Sequence, residues 1–176
     1  DRFGRFCETA VAHLGDRIAR ACTINEPDVV AFVTYAIGLF PPGTVDPALV
    51  AAAHDNFCAA HTRAVEVLKA GPGDFPVGLT LSMADYQAVP ADDPAAVATR
   101  DRIRSSVEDR YLELARTDDF IGVLTYSRTR VGPDGELGAE DGVPVLPMGY
   151  EYYPEALAAT IRQAWAVTEG TPVLVT

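Results

Sequence analysis

Short apolar runs alternate with longer amphipathic stretches along this sequence, and that alternation limits the folds open to it. Phe3, Phe6, Ala10, Leu14 and Ile18 keep helical spacing, which predicts a helix from Phe3 to about Ala19 with Gly15-Asp16 as its exit. Ala21 to Asn25 reads as a short strand. Pro27 biases Glu26 toward extended backbone, so the strand ends with that carboxylate at its tip. Phe40-Pro41-Pro42-Gly43 is a rigid loop. Asp46 as N-cap and Pro47 at the first helical position then open a second helix. Its apolar stripe of Val50, Ala53, Phe57, Ala60, Ala64 and Leu68 closes at Gly71-Pro72-Gly73. Val77 to Leu81 is a buried strand. Asp93-Pro94 starts a third helix carrying Ile103, Val107, Tyr111 and Leu114, and Phe120 to Tyr126 is a third strand. Arg130 to Gly149, rich in Gly and Pro, reads as loop. Pro154 opens a last helix through Leu157, Ile161 and Trp165, with Trp165 in the core, and Pro172 to Thr176 is a fourth strand.

A helix, then strand and helix three times, then a strand, means a parallel α/β sheet with right-handed crossovers. Four strands fit either a small doubly wound sheet or half of an eight-stranded barrel. No glycine-rich turn follows the first strand, so nothing supports a dinucleotide site. A carboxylate on a strand tip fits the active face of a barrel. At 176 residues the chain is long enough for one domain with a core, and no internal repeat or second boundary divides it.

Charge and composition exclude other classes. A hydrophobic share of 48% with 22% charged residues is that of a folded globular chain. A net charge of -11 argues against a nucleic-acid partner, because phosphate binding needs clustered Lys and Arg. Arg100, Arg102, Arg104, Arg110 and Arg116 alternate with Asp101, Glu108, Asp109 and Glu113, which reads as a solvated helix face laced with ion pairs. Cys7, Cys22 and Cys58 form no C-x-x-C pair and read as reduced, part-buried thiols of a cytoplasmic protein. His54 and His61 lie seven apart on one predicted helix, too far apart for a zinc pair, and read as structural. No metal or organic cofactor is expected, and neither a signal peptide nor a membrane span is apparent. The start at Asp1, already in amphipathic helix and without Met, suggests a fragment.

Thr23-Ile24-Asn25-Glu26-Pro27 carries the chemistry. Hydrolysing a glycoside takes two carboxyl groups flanking the scissile bond, about 5 to 5.5 Å apart in the retaining route. Glu26 at a strand tip is a candidate proton donor, and the Asn25 amide is placed to bond a sugar 2-hydroxyl. The bland alternative is a polar strand exit followed by a turn. Tyr150, Tyr152 and Tyr153 suit sugar stacking or loop packing, and packing is favoured. Glu151 and Glu155 flank a predicted helix start, where acids suit the dipole.

Beyond this corner the sequence resembles glycoside hydrolase family one, the β-glucosidase and β-galactosidase family with a (β/α)8 barrel. Gly38-Leu39-Phe40-Pro41-Pro42-Gly43, Ala52-Ala53-His54-Asp55-Asn56, Asp119-Phe120-Ile121-Gly122-Val123 with Tyr126, and Met148-Gly149-Tyr150-Glu151-Tyr152-Tyr153-Pro154-Glu155 follow the family's order. The resemblance implies a partial TIM barrel over residues 1–176, about the fourth to seventh strands with their helices. It implies Glu26 as acid/base, Asn25 as the 2-hydroxyl ligand and Tyr126 as the tyrosine that holds the nucleophile. The nucleophilic glutamate of the family's Glu-Asn-Gly would follow Thr176. Ala21 stands where Trp is usual, Leu124 where Asn is usual, and Ser82 replaces a common Asn. These departures fit a compact member or one that has lost activity. The expected partners are a β-glycoside substrate and, for half a barrel with open edges, the missing half or a second copy. A non-catalytic sugar-binding remnant, or another barrel glycosidase sharing Asn-Glu-Pro, stays open.

Overall fold

The computed structural model describes residues 2–176, and Asp1 lies outside them. Helix α1 (Arg2–Leu14) runs into a 3-10 turn at Gly15–Arg17 and leads to strand β1 (Ala21–Asn25). A short helix α2 (Pro27–Ala31) widens into a π turn at Phe32–Ala36, and the long helix α3 (Pro47–Ala70) follows. Strand β2 (Val77–Ala88) precedes α4 (Pro94–Arg104), a second π turn at Ser105–Asp109 and α5 (Arg110–Leu114). Strand β3 (Phe120–Gly132), the short β4 (Gly135–Glu136), α6 (Ala156–Val167) and β5 (Val173–Val175) complete the order. The predicted Asp46 cap forms, and Asp93, at the next predicted helix start, caps its helix as well. Asp46 Oδ1 accepts the Ala48 amide at 2.8 Å and Asp93 Oδ1 accepts that of Ala95 at 2.9 Å. Such a cap is worth ~1 kcal/mol.

Strands β1, β2, β3 and β5 pair in that order, all parallel, as the alternation predicts. β1 and β5 each pair on one side only among the described residues. β2 and β3 outrun their apolar cores, because Asp85 to Ala88 pair with Arg128 to Val131 in a polar ribbon that extends past the sheet. Arg130 and Val131, read as loop, are therefore strand, and β4 returns antiparallel against Val131 and Gly132.

The helices cover one face. Leu79, Leu81 and Met83 of β2 and Ile121 and Val123 of β3 pack on Tyr111, Leu112, Ala115 and Ala164, all buried. Each large side chain so buried contributes about 1.5–3 kcal/mol. A second cluster seals α1 on α3 through Cys7, Val11, Ala64, Val67 and Leu68, closing on Phe75 and Val77. Polar ties fasten helix to strand. His61 stands between Thr23 Oγ1, 2.8 Å from its Nδ1, and Asp118, 3.2 Å from its Nε2. His54 shares a 2.7 Å hydrogen bond with the Tyr111 hydroxyl, and Thr125 one of 2.7 Å with Thr160. Both histidines are buried and structural, as their spacing suggested.

Four local readings change. Glu26 is not extended: its φ of 48° and ψ of 53° are left-handed, because one residue must turn the chain from β1 into α2. Trp165 is 60% exposed, and the buried face of α6 is Ala156, Thr160 and Ala164. Small residues let α6 lie close to β3, which rotates the bulky Leu157 and Trp165 outward. Glu108 is fully buried rather than part of the solvated arginine face. That face does exist around it, in Arg100–Asp101 at 2.7 Å and Arg104–Asp109 at 3.6 Å. Glu151 is buried and paired with Arg128 instead of capping α6.

Candidate active site

Strand β1 does not run evenly against β2. Cys22 stands opposite Gly78 and Asn25 opposite Thr80, so three steps along β1 match two along β2. Thr23 bonds His61 and faces the helices. Regular alternation would send Asn25 the same way. The extra residue reverses the parity and brings Asn25 level with Thr80 on the open, inner face. Gly122 makes that face tight, since a Cβ there would lie 2.4 Å from Thr80 Oγ1.

Glu26 follows at once. Its amide donates to the Thr80 carbonyl at 2.8 Å, and its own carbonyl accepts the Val30 amide at 3.1 Å. The residue thus ends the sheet and starts α2 in a single left-handed step. Such backbone costs about 1–3 kcal/mol and gathers at working sites. Its Oε1 is buried and has no hydrogen-bond partner among the described residues. The side chain lines a hollow of about 450 Å³ with Val29, Ser82, Tyr126 and the Leu146–Tyr150 loop. Tyr126 sits where β3 slips against β2 between Met83 and Asp85. It is 52% exposed and stacks on Tyr150, with ring centroids 5.4 Å apart and planes 18° apart. The structure therefore brings Glu26 and Tyr126 to one hollow. Asn25 shares the inner face but does not line the hollow.

A second hollow of about 310 Å³ adjoins the first, sharing Val29, Ser82, Tyr126 and Tyr150. Asp28 lies in its wall, only 2% exposed, with Oδ1 unpartnered. Burial pushes the Asp28 carboxyl up to about 7, nearby amides oppose the rise, and the Glu26 charge adds to it. Behind it Glu108 accepts the Ala84 amide at 2.9 Å and the Gln163 amide group at 3.1 Å. Burial, with a smaller push from Asp28, raises the Glu108 carboxyl to about 8. Burial also lifts the Tyr86 hydroxyl. Sequence reasoning missed Asp28 and Glu108. Asp28 sits in a first helical turn, where an acid is ordinary, and Glu108 sits among charges that imply solvent.

Tyr150 joins the site and Tyr153 packs, its ring 4.4 Å beneath the Arg128 guanidinium. Among the described residues no three His, Cys, Asp or Glu side chains gather to hold a metal ion. No helix is long and apolar enough to cross a membrane. An acid at a strand tip, facing an aromatic wall, is placed to exchange a proton with a group held above the sheet.

Parallel strands with helices on one face and an acid at their carboxyl ends define a segment of a (β/α)8 barrel. Comparison with known proteins agrees. The family model described as Glycosyl hydrolase family 1 matches residues 1–133. A β-glucosidase A of Thermotoga maritima is 26% identical over 89% of this chain and 43% of its own length. A β-galactosidase of Saccharolobus solfataricus is 26% identical over 93% of this chain and 40% of its own. The crystal structure of β-glycosidase BGL167 superposes with a TM-score of 0.80 at 39% identity, over 99% of this chain and 46% of that one. The chain belongs to glycosyl hydrolase family 1 and spans less than half the length of these relatives.

Proposed function

We propose that the protein of which this chain forms the barrel wall hydrolyses β-glycosides, β-glucosides among them, with retention, and that Glu26 is its general acid/base. The observation that carries the reading is the unpartnered Glu26 Oε1, buried in a hollow at the strand tips and held by a one-residue turn. Glu26 protonates the glycosidic oxygen as its bond to the anomeric carbon breaks, while a second carboxylate attacks that carbon from the other face. Water then displaces the glycosyl group and Glu26 takes its proton. Asn25, on the inner face beside it, bonds the sugar 2-hydroxyl. Tyr126 steadies the second carboxylate, which lies elsewhere in the barrel, since no Glu-Asn-Gly occurs in these 176 residues. The chain by itself is then inactive, and its open strand edges and inner face are filled by the rest of the barrel or by a second copy.

The test compares leaving groups. In the intact parent enzyme, Glu26→Gln slows hydrolysis of an alkyl β-glucoside about 10²–10⁴-fold. The first step on a dinitrophenyl β-glucoside, whose leaving group needs no proton, is nearly unchanged. Equal slowing of both substrates removes Glu26 from the acid role. Turnover by this chain alone, abolished by the same substitution, refutes its inactivity.

A further inference from the structure

The 310 Å³ hollow holds features that the acid/base reading of Glu26 leaves unused. Apolar side chains of Val29, Phe32, Val33, Met83 and Val107 line it with Asp28. Phe32 and Val33 belong to one π turn and Val107 to the other. Such turns are rare in helices and concentrate at functional sites. Asp28, 2% exposed with Oδ1 unpartnered, is the polar group set into this wall. A buried carboxylate oxygen without a partner is costly, and although backbone amides serve the rest of the group, this oxygen is left open to a donor from outside. The cation at the mouth, Arg128, is already engaged by Glu151 and Glu140. Acidic groups face Asp28 from the surrounding elements: Glu26 at the β1 tip, Glu108 on the second π turn, and the Tyr86 and Tyr111 hydroxyls from β2 and α5. Glu136 stands with Arg128 in the lining at the mouth.

We propose that this hollow binds a small apolar cation, an arylalkylammonium group, with its N–H groups on the Asp28 carboxylate and its ring against Phe32, Val33, Met83 and Val107. The hollow shares Val29, Ser82, Tyr126 and Tyr150 with the first one, but the binding does not rest on the glycosidase reading above.

Calorimetry on the intact chain tests it with benzylamine, protonated at pH 8 and at pH 5, and benzyl alcohol as the neutral analogue. Benzylamine is expected to bind at pH 8 at least about tenfold more tightly than the alcohol, the equivalent of one charge-assisted hydrogen bond. Its affinity falls by a similar factor at pH 5, where Asp28 is protonated, while the alcohol hardly changes. Asp28→Asn, its fold checked by circular dichroism, loses the preference for the amine. Equal binding of the two probes, no binding of either, or an amine affinity that holds from pH 8 to pH 5 overturns the proposal. Hydrolysis is not read in any arm, so failure here leaves the role of Glu26 standing, and failure of that role leaves this site standing.

Discussion

Glu151 and Asp28 are buried almost equally, 5% and 2% exposed, yet the fold treats them in opposite ways. Glu151 lies at the outer ribbon, where Arg128 and the Glu140 amide take its oxygens, the Ser127 hydroxyl bonds its carbonyl at 2.8 Å and Tyr153 backs the guanidinium. Burial raises that carboxyl, but the hydrogen bonds and charge of Arg128 outweigh it and hold the group below the usual range. Asp28, at the corner between β1 and α2, meets apolar walls and other acids, and burial pushes it up. The first region spends charge on holding a loop in place. The second leaves one oxygen each of Glu26 and Asp28 unanswered next to an open hollow, an arrangement that stability alone does not reward.

The largest expected effect falls on the unanswered side. Glu26→Gln should remove about 10²–10⁴-fold of kcat/KM in the parent enzyme while its melting temperature stays within a degree or two. A large loss of stability would make Glu26 a structural acid like Glu151. On the answered side the balance reverses. Arg128→Ala strands a carboxylate that is 6% exposed, so it should cost about 3–5 kcal/mol in urea unfolding. A change below about 1 kcal/mol would erase the contrast between the two regions.

The third prediction concerns pH. Asp28 and Glu108 hold their protons in the folded chain up to about 7 and about 8, against 3.8 and 4.5 for the free groups. Folding therefore takes up protons between about pH 4 and pH 8, and stability falls as pH rises through that window. Asp28→Asn and Glu108→Gln should flatten the fall, leaving the melting temperature unchanged near pH 4 and raising it at pH 8. Parallel curves for variants and parent would show both acids to be ionised without cost. The smallest effect belongs to the aromatic wall. Tyr150→Ala removes the ring stacked on Tyr126, worth about 0.5–1.5 kcal/mol, and should raise KM about two- to tenfold with kcat little changed.

How much of this was legible follows the range of the forces involved. Asp46 and Asp93 cap helices through bonds two residues away, and both helix starts were readable. That β1, β2, β3 and β5 run parallel was legible from alternation, while their sequential order was not, since a doubly wound sheet stayed open; the resemblance named Glu26 and Tyr126, which line one hollow. Glu108 was misread because its partners, Ala84 and Gln163, lie 24 and 55 residues away and leave no mark on its own charge pattern. Trp165 was misread because helical spacing fixes which residues share a face, while the rotation of α6 is set by how closely Thr160 approaches Thr125. The left-handed Glu26 was hidden because proline restricts the residue before it without choosing among what is left.

The slip in β1 has a consequence for how the site tolerates change. A regular strand delivers every second residue to a given face, so two neighbours in sequence never serve it together. Between Cys22 and Asn25 this strand skips a beat, and Asn25 and Glu26, joined by one peptide bond, both arrive on the inner side. Their spacing is then a covalent length rather than the outcome of packing. Removing one residue between Cys22 and Asn25 would restore the ordinary rhythm of the strand and still leave Asn25 opposite Thr80, whereas regular pairing at the present length would turn the Asn25 amide toward α3. The partnership of amide and acid therefore rests on the irregular pairing between Cys22 and Asn25, and a change that made the strand regular without shortening it would part the two.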